Sequence, residues 1–183
     1  FDTKEDKLMQ EIIDGYQKVM SSGQGTKDNL YLKKIRFHHP IFRELSYNAY
    51  KMIFDLCEII QIKKGQVLYK QDLPIQDIYF VMHGKVGLRY FSDNEVEDLD
   101  DAGFLGQSMG EEVLFYEEKT YRETAVCTTP RSTILQLRAE YIFELGDESF
   151  MNRGLGSEAM KNDMDHLFER LSHIYNNKER WRI

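Results

Sequence analysis

The stretch Asp77-Ile78-Tyr79-Phe80-Val81-Met82-His83-Gly84-Lys85-Val86, running on to Phe91, narrows the possible folds more than any other part of the chain. β-branched and aromatic side chains crowd it, and these suit a pleated, half-buried surface. Ile78–Met82 and Lys85–Phe91 are separated by His83-Gly84 alone, a tight-turn spacing that predicts a hairpin. Past the turn Val86, Leu88 and Tyr90 alternate with Lys85, Gly87 and Arg89, so one face of that strand is buried. Further short strand-like runs surround this pair. Glu58–Ile62 and Gln66–Tyr69 are split by Lys63-Lys64-Gly65, and Val96–Leu99, Thr124–Cys127 and Thr133–Leu137 follow the Asp93-Asn94 turn. Many short strands with frequent turns predict a two-layered or closed antiparallel sheet.

Helical periodicity lies on both sides. Leu8, Ile12, Tyr16 and Val19 recur at helical spacing within residues 1–20, before the flexible link 21–26. A shorter pattern at 29–37 carries Leu30, Leu32 and Ile35 and stops at Pro40. Ser46 is placed to cap a helix bearing Tyr50, Ile53, Phe54 and Cys57. After residue 138 a short helix over Ala139–Leu145 is expected. A long last helix capped by Ser157 then carries the stripe Met160, Met164, Leu167, Leu171 and Ile174. The expected class is α+β: a jelly-roll-like antiparallel β-roll flanked by N- and C-terminal helices. Residues 1–41 form a helical segment and 42–183 the β-roll domain with its C-terminal helices.

The charge balance limits the partners. Formal net charge is −7 with a pI near 5.3. That speaks against a nucleic-acid surface and against docking on anionic lipid, both of which need basic patches. One phosphate held by a local Arg and a few backbone N–H groups stays possible. The two cysteines, Cys57 and Cys127, form no CxxC or Cys/His spacing, so core thiols in a reduced, intracellular setting are expected. No apolar run reaches the length of a membrane span, and no signal peptide is visible. The chain begins at Phe1, which suggests a piece of a longer protein with its effector elsewhere. His38-His39 reads as a helix-end or surface pair without further ligands at metal spacing. A cupin-type metal enzyme would need a His-x-His pair, which the chain lacks. Neither a nucleophile–base set nor a metal set points to turnover, so no enzyme is expected.

The segment most able to carry chemistry is 106–126, GQSMGEEVLFYEEKTYRETAV. Gly106 and Gly110 bracket a chain reversal, and Glu111-Glu112-Val113-Leu114 has the length of about one helical turn. Free backbone N–H groups at such a turn suit a phosphate. Arg122 can reach back with its planar, permanently charged fork. Glu111 is the acceptor best placed for a ribose hydroxyl. From the residues alone this is a weak signal, and a tight turn with a surface salt bridge is the reading they favour.

These motifs resemble the cyclic-nucleotide-binding domain family, which includes regulatory subunits of cyclic-AMP-dependent kinase and nucleotide-gated channel domains. The family's cassette stands here as Met109-Gly110-Glu111-Glu112-Val113-Leu114, then Arg122-Glu123-Thr124-Ala125-Val126. Lys64-Gly65-Gln66-Val67-Leu68-Tyr69 is similar to its entry strand, and Asp77–Val86 to its hairpin. The likeness covers about residues 42–175. It implies a cyclic-nucleotide site of Gly110, Glu111, Glu112, Val113, Arg122, Glu123 and Thr124. Arg122 would take the phosphate, Glu111 the ribose hydroxyl, and Gly65 and Gly84 would serve turns. It also implies a C-terminal helix that swings over the base, with Phe168, Leu171 or Tyr175 as the lid.

Position 123 departs from the pattern: Glu stands where the family has Ala or Thr. A Thr there would favour cyclic GMP, so cyclic AMP is the expected ligand, with no metal. The carboxylate of Glu123 would repel a phosphate unless it turned outward. The loop Phe115–Tyr121 is also slightly longer than usual. The expected function is therefore a cyclic-nucleotide sensor that relays binding through its last helix to an effector kinase, channel or other domain. The alternative is a degenerate β-roll that serves as a protein-interaction scaffold, with Glu117-Glu118 and the N-terminal helix as its surfaces.

Overall fold

A computed structural model describes residues 3–23, 28–147 and 158–182. The helices are α1 (Lys4–Ser22), α2 (Asp28–His38), α3 (Tyr47–Leu56), α4 (Ala139–Leu145) and α5 (Glu158–Glu179). The strands are β1 (Glu58–Lys63), β2 (Val67–Tyr69), β3 (Asp77–His83), β4 (Val86–Ser92), β5 (Glu95–Gly103), β6 (Ser108–Met109), β7 (Thr124–Cys127) and β8 (Arg131–Arg138). They form two four-stranded antiparallel sheets, ordered β1-β8-β3-β6 and β2-β7-β4-β5. The expected α+β class, a β-roll with helices at both ends, is the observed one.

The predicted hairpin is not a hairpin. β3 pairs with β8 and β6, while β4 pairs with β7 and β5 across the Asp93-Asn94 turn. His83-Gly84 instead carries the chain from one sheet into the other. Gly84 makes this crossing at φ +83°, and a Cβ there would lie 2.5 Å from the Arg131 carbonyl oxygen. The spacing signalled a sharp turn correctly but not which strand lies alongside.

One core joins the sheets to the helices. It includes Ile13 of α1, Ile35 of α2, Ile53 of α3, Phe80 of β3 and Leu171 of α5. The expected caps are partly visible. Ser46 accepts from the Ala49 amide at 3.2 Å, whereas Ser157 lies outside the described residues. Ser46 also donates through Oγ to Asp163 at 2.6 Å, and its amide donates to the same carboxylate at 3.1 Å. That pair pins α5 to the start of α3. Met164, Leu167, Leu171 and Ile174 are buried along the facing stripe. Each such side chain contributes roughly 1.5–3 kcal/mol. Most of α5 is therefore held by apolar contact, and only its last turn is left for polar partners to place.

His39 is buried rather than on the surface. Its Nδ1 accepts from the Ile41 amide at 3.2 Å, which leaves Nε2–H to donate to the Val81 carbonyl at 3.2 Å. Burial, with lesser help from Arg170 and Arg43 and against the Val81 hydrogen bond, pushes its pKa down to about 3. Because the folded value lies below the ordinary one near 6.5, the neutral ring's contribution is full above pH 6.5 and is lost as pH falls toward 3. Urea titrations of the wild type and His39→Gln should show a stability gap that narrows steadily from pH 7 to pH 4. A gap that widens on acidification would mean the ring is charged in the folded state.

Candidate functional site

The turn after β6 is built so that only glycine can lead it. β6 lies on β3 with Tyr79 opposite Met109, and Gly110 follows at φ +82°. A Cβ on Gly110 would sit 2.6 Å from the Asp77 carbonyl oxygen. Glu111–Leu114 then form a 3-10 turn. The Tyr116 amide donates to the Glu112 carbonyl at 2.7 Å, and Lys119 Nζ to the Val113 carbonyl at 2.7 Å. At the far end Tyr121 stacks on Tyr69 at 3.9 Å and donates its hydroxyl to the Asp77 carbonyl at 3.1 Å. Both ends of the segment are thus fastened to one residue of β3, and Arg122 leads into β7.

Three carboxylates are sealed inside this frame: Glu111 and Glu112 are 0% exposed and Glu123 1%. Ionised carboxylates taken out of water cost several kcal/mol each unless paired. Their partners come from the C-terminal end of the chain. Lys178 Nζ donates to Glu111 Oε1 and to the Ser108 carbonyl, both at 2.7 Å. Arg182 grips Glu123 with two parallel bonds, Nε to Oε2 at 2.8 Å and Nη2 to Oε1 at 2.9 Å. The same Nη2 lies 3.5 Å from Glu112 Oε2, which also accepts from the Arg122 amide at 3.1 Å. Among the described residues, Glu111 Oε2 and Glu112 Oε1 have no hydrogen-bond partner.

Arg122 does not face the turn. Its Nη1 donates to Glu179 Oε1 at 2.6 Å, and its guanidinium lies 4.2 Å from the Tyr116 ring centroid. It borders a polar hollow of about 370 Å³ whose walls include Gln71, Tyr90, Tyr116 and Tyr121. Burial raises the Glu111 carboxyl to about 7, with Lys178 pulling down and the charge of Glu112 pushing up. Burial lowers the Arg182 pKa, but the Glu123 hydrogen bonds and the charges of Glu112, Glu123 and Glu111 outweigh it and raise the net value.

The residues singled out from the sequence come together only in part. Gly110, Glu111, Glu112, Val113, Arg122 and Glu123 lie in one cassette. Val113 is a core side chain, 3% exposed. Thr124 is turned to structural use, its Oγ1 accepting from the Gln71 amide at 3.0 Å. Glu123 points inward, contrary to what phosphate binding would require, because Arg182 neutralises it there. Among the lid candidates, Leu171 is fully buried core and Phe168 packs at Gly146 beside α4. Tyr175 reaches the cassette with its ring 5.2 Å from that of Phe115.

Lys178, Glu179, Arg182 and the Ser108 carbonyl were not foreseen. A signal existed: Lys178 follows Leu171 and Ile174 at the next position of the buried stripe. A lysine in an apolar slot needs a buried carboxylate, and the glutamates at 111, 112 and 123 needed cations.

A two-sheet roll with terminal helices, carrying a glycine-led turn and a returning Arg between its sixth and seventh strands, defines a class of β-roll domain. Residues 59–149 match the sequence profile of the cyclic nucleotide-binding domain, and that segment belongs to this family. Solved structures share the fold. A putative cyclic nucleotide-binding protein from Geobacter metallireducens is 17% identical over 79% of this chain and 95% of that one, with a TM-score of 0.58. The N-terminal domain of a transcriptional regulator from Streptomyces coelicolor is 16% identical over 81% and 95%, TM-score 0.57. The regulatory domain of Toxoplasma gondii PKA, solved with cAMP, is 17% identical over 70% and 48%, TM-score 0.54. No curated protein matches the chain in sequence. Among the described residues, no helix is long and apolar enough to cross a membrane, and no group of three or more His, Cys, Asp or Glu could hold a metal ion.

Two outcomes follow from the ionic cluster. Arg182→Ala leaves Glu123 buried without its cation and should cost about 3–5 kcal/mol in urea denaturation. Pairing Arg182→Met with Glu123→Gln should recover most of it. A single-variant loss below about 1 kcal/mol would place these charges in water. The Glu111 carboxyl, raised in the folded state, contributes stability that is full below its ordinary value and is lost as pH rises through about 7. The melting temperature of the wild type relative to Glu111→Gln should therefore fall between pH 5 and pH 8. A rise over that window would show an ionised Glu111 dominated by Lys178.

Proposed function

We propose that this chain is a non-catalytic regulatory domain whose cassette is occupied by its own C-terminal end, and whose output is the position of that end. One observation carries this reading: Lys178 and Arg182 satisfy the buried glutamates while Glu179, between them, holds Arg122. The tail thus supplies a carboxylate to the residue expected to hold phosphate, and an ammonium to the residue expected to hold a ribose hydroxyl. Apolar packing anchors α5 as far as Ile174, so the movable part is the last turn and the segment through Arg182.

A cyclic nucleotide would enter by exchange. Arg122 would trade Glu179 for the phosphate, Glu111 would trade Lys178 for the ribose, and the freed tail would carry the signal to an effector outside this chain. Cyclic AMP is the preferred ligand, since position 123 lacks a Thr hydroxyl. The known binding in this fold, cAMP in the Toxoplasma regulatory domain, supports that choice. Such a ligand can shift the tail by no more than its affinity difference between the two states, typically about 1–3 kcal/mol. Residues 42–183 would be the switching unit, working inside the cell. A second reading, a non-binding interaction scaffold, is favoured by the inward carboxylate of Glu123, which any phosphate would meet once Arg182 leaves.

Calorimetry with cyclic AMP and cyclic GMP separates the two, with Trp181, the single tryptophan, reporting the tail by its emission. Cyclic AMP is expected to bind Glu179→Gln more tightly than wild type, because Arg122 is released. Arg122→Ala should weaken binding by about 2 kcal/mol or more. Neither heat nor thermal shift from either nucleotide at millimolar concentration, in wild type and in Glu179→Gln alike, hands the function to the scaffold reading.

A further inference from the structure

Considered without its tail, the cassette has the wrong sign for an anion. Glu111, Glu112 and Glu123 are buried in it, and the cations of the same segment are turned elsewhere, Arg122 to Glu179 and Lys119 to the Val113 carbonyl. Its occupant is a pair of cations four residues apart at the end of a helix. The two subsites differ in chemistry. At the first, Glu111 Oε1 and the Ser108 carbonyl converge on one nitrogen, each at 2.7 Å, which suits the compact, several-donor ammonium of lysine. At the second, both oxygens of Glu123 face Nε and Nη2 of one guanidinium, a parallel grip that lysine cannot reproduce. Among the described residues Glu111 Oε2 and Glu112 Oε1 are buried without a hydrogen-bond partner, so the cassette has acceptor capacity beyond what Lys178 and Arg182 use.

We infer that the cassette is a receptor for a basic helix end, a polypeptide segment that presents Lys and then Arg four residues later. The chain's own tail is its resident occupant, and the same chemistry offered by a second polypeptide competes for the place. The tail holds the advantage of tethering, worth an effective concentration of about millimolar. A competitor gains by bringing a further donor to the two unpartnered oxygens, which removes their desolvation cost. This rests on the tail-seating part of the proposed function and not on any cyclic nucleotide.

The probe is a fluorescein-labelled peptide of residues 170–183, followed by anisotropy against the full chain. Lys178→Ala/Arg182→Ala in the receptor is expected to bind it at least tenfold more tightly than wild type, whose cassette is filled. A peptide with its Lys178 and Arg182 exchanged for one another should bind at least tenfold more weakly. Glu123→Gln added to the receptor should erase most of that difference. Equal binding by wild type and double variant, or by the native and order-exchanged peptides, overturns the inference. If circular dichroism shows the double variant unfolded, Arg182→Lys replaces it, since an ammonium cannot hold both oxygens of Glu123. Trp181 emission tests the underlying reading separately. Emission unchanged between wild type and variant means the tail is not held by these pairs. Changed emission without peptide binding removes the receptor inference alone. A dimer of the wild type in light scattering that Glu123→Gln abolishes supports the inference, with a second copy as the source of the helix.

Discussion

The buried contact between Arg182 and Glu123 governs the rest of the site. A carboxylate that is 1% exposed can stay ionised only beside a cation, and the cation that hydrogen-bonds Glu123 is Arg182, just past the far end of α5. Once the guanidinium is drawn in, the end of the chain must lie across the cassette. Lys178 then falls onto Glu111, and Glu179 falls onto Arg122. A residue that would repel a phosphate thus becomes the point to which the last turn of α5 is tied.

The scaffold makes that closure inexpensive. α5 is already fixed by its apolar stripe and by Asp163 on the cap of α3, so little further ordering is needed to bring its last turn to the cassette. The cassette is equally fixed, since Gly110 and Tyr121 both rest on Asp77. Two preset surfaces meet, and the ionic pairs decide only the register between them. The division of labour suits a regulatory part: apolar contacts give persistence, and charged contacts give a place where the last turn can be won or lost.

Local patterns in the sequence showed the helices, the cassette and every strand but the two-residue β6, because period-two and helical spacing are properties of neighbouring residues. Pairing is not. His83-Gly84 announces a reversal whether the chain folds back on itself or steps to another sheet, and the clash at Arg131 that demands glycine involves a strand far along the chain. The direction of Glu123 was equally out of reach, since alternation along β7 could not say that a cation would arrive from residue 182. Lys178 was the one legible clue. It continues the stripe of Leu171 and Ile174, and its neighbours in the fold had to be acidic. Of the three lid candidates, Tyr175 lies beside Phe115 at the end of the turn, whereas Phe168 packs at Gly146 and Leu171 lies in the core.

A single oxygen, Glu179 Oε1, accepts from Arg122 at 2.6 Å and from Arg182 at 3.2 Å. Lifting the end of α5 therefore strips a counter-ion from the β-roll's arginine in the same motion that bares its glutamates. The uncovered surface is zwitterionic, with an arginine on one flank and carboxylates on the other. A basic helix end that takes the glutamates leaves Arg122 uncovered unless it also places a carboxylate between its two cations, as Glu179 does here.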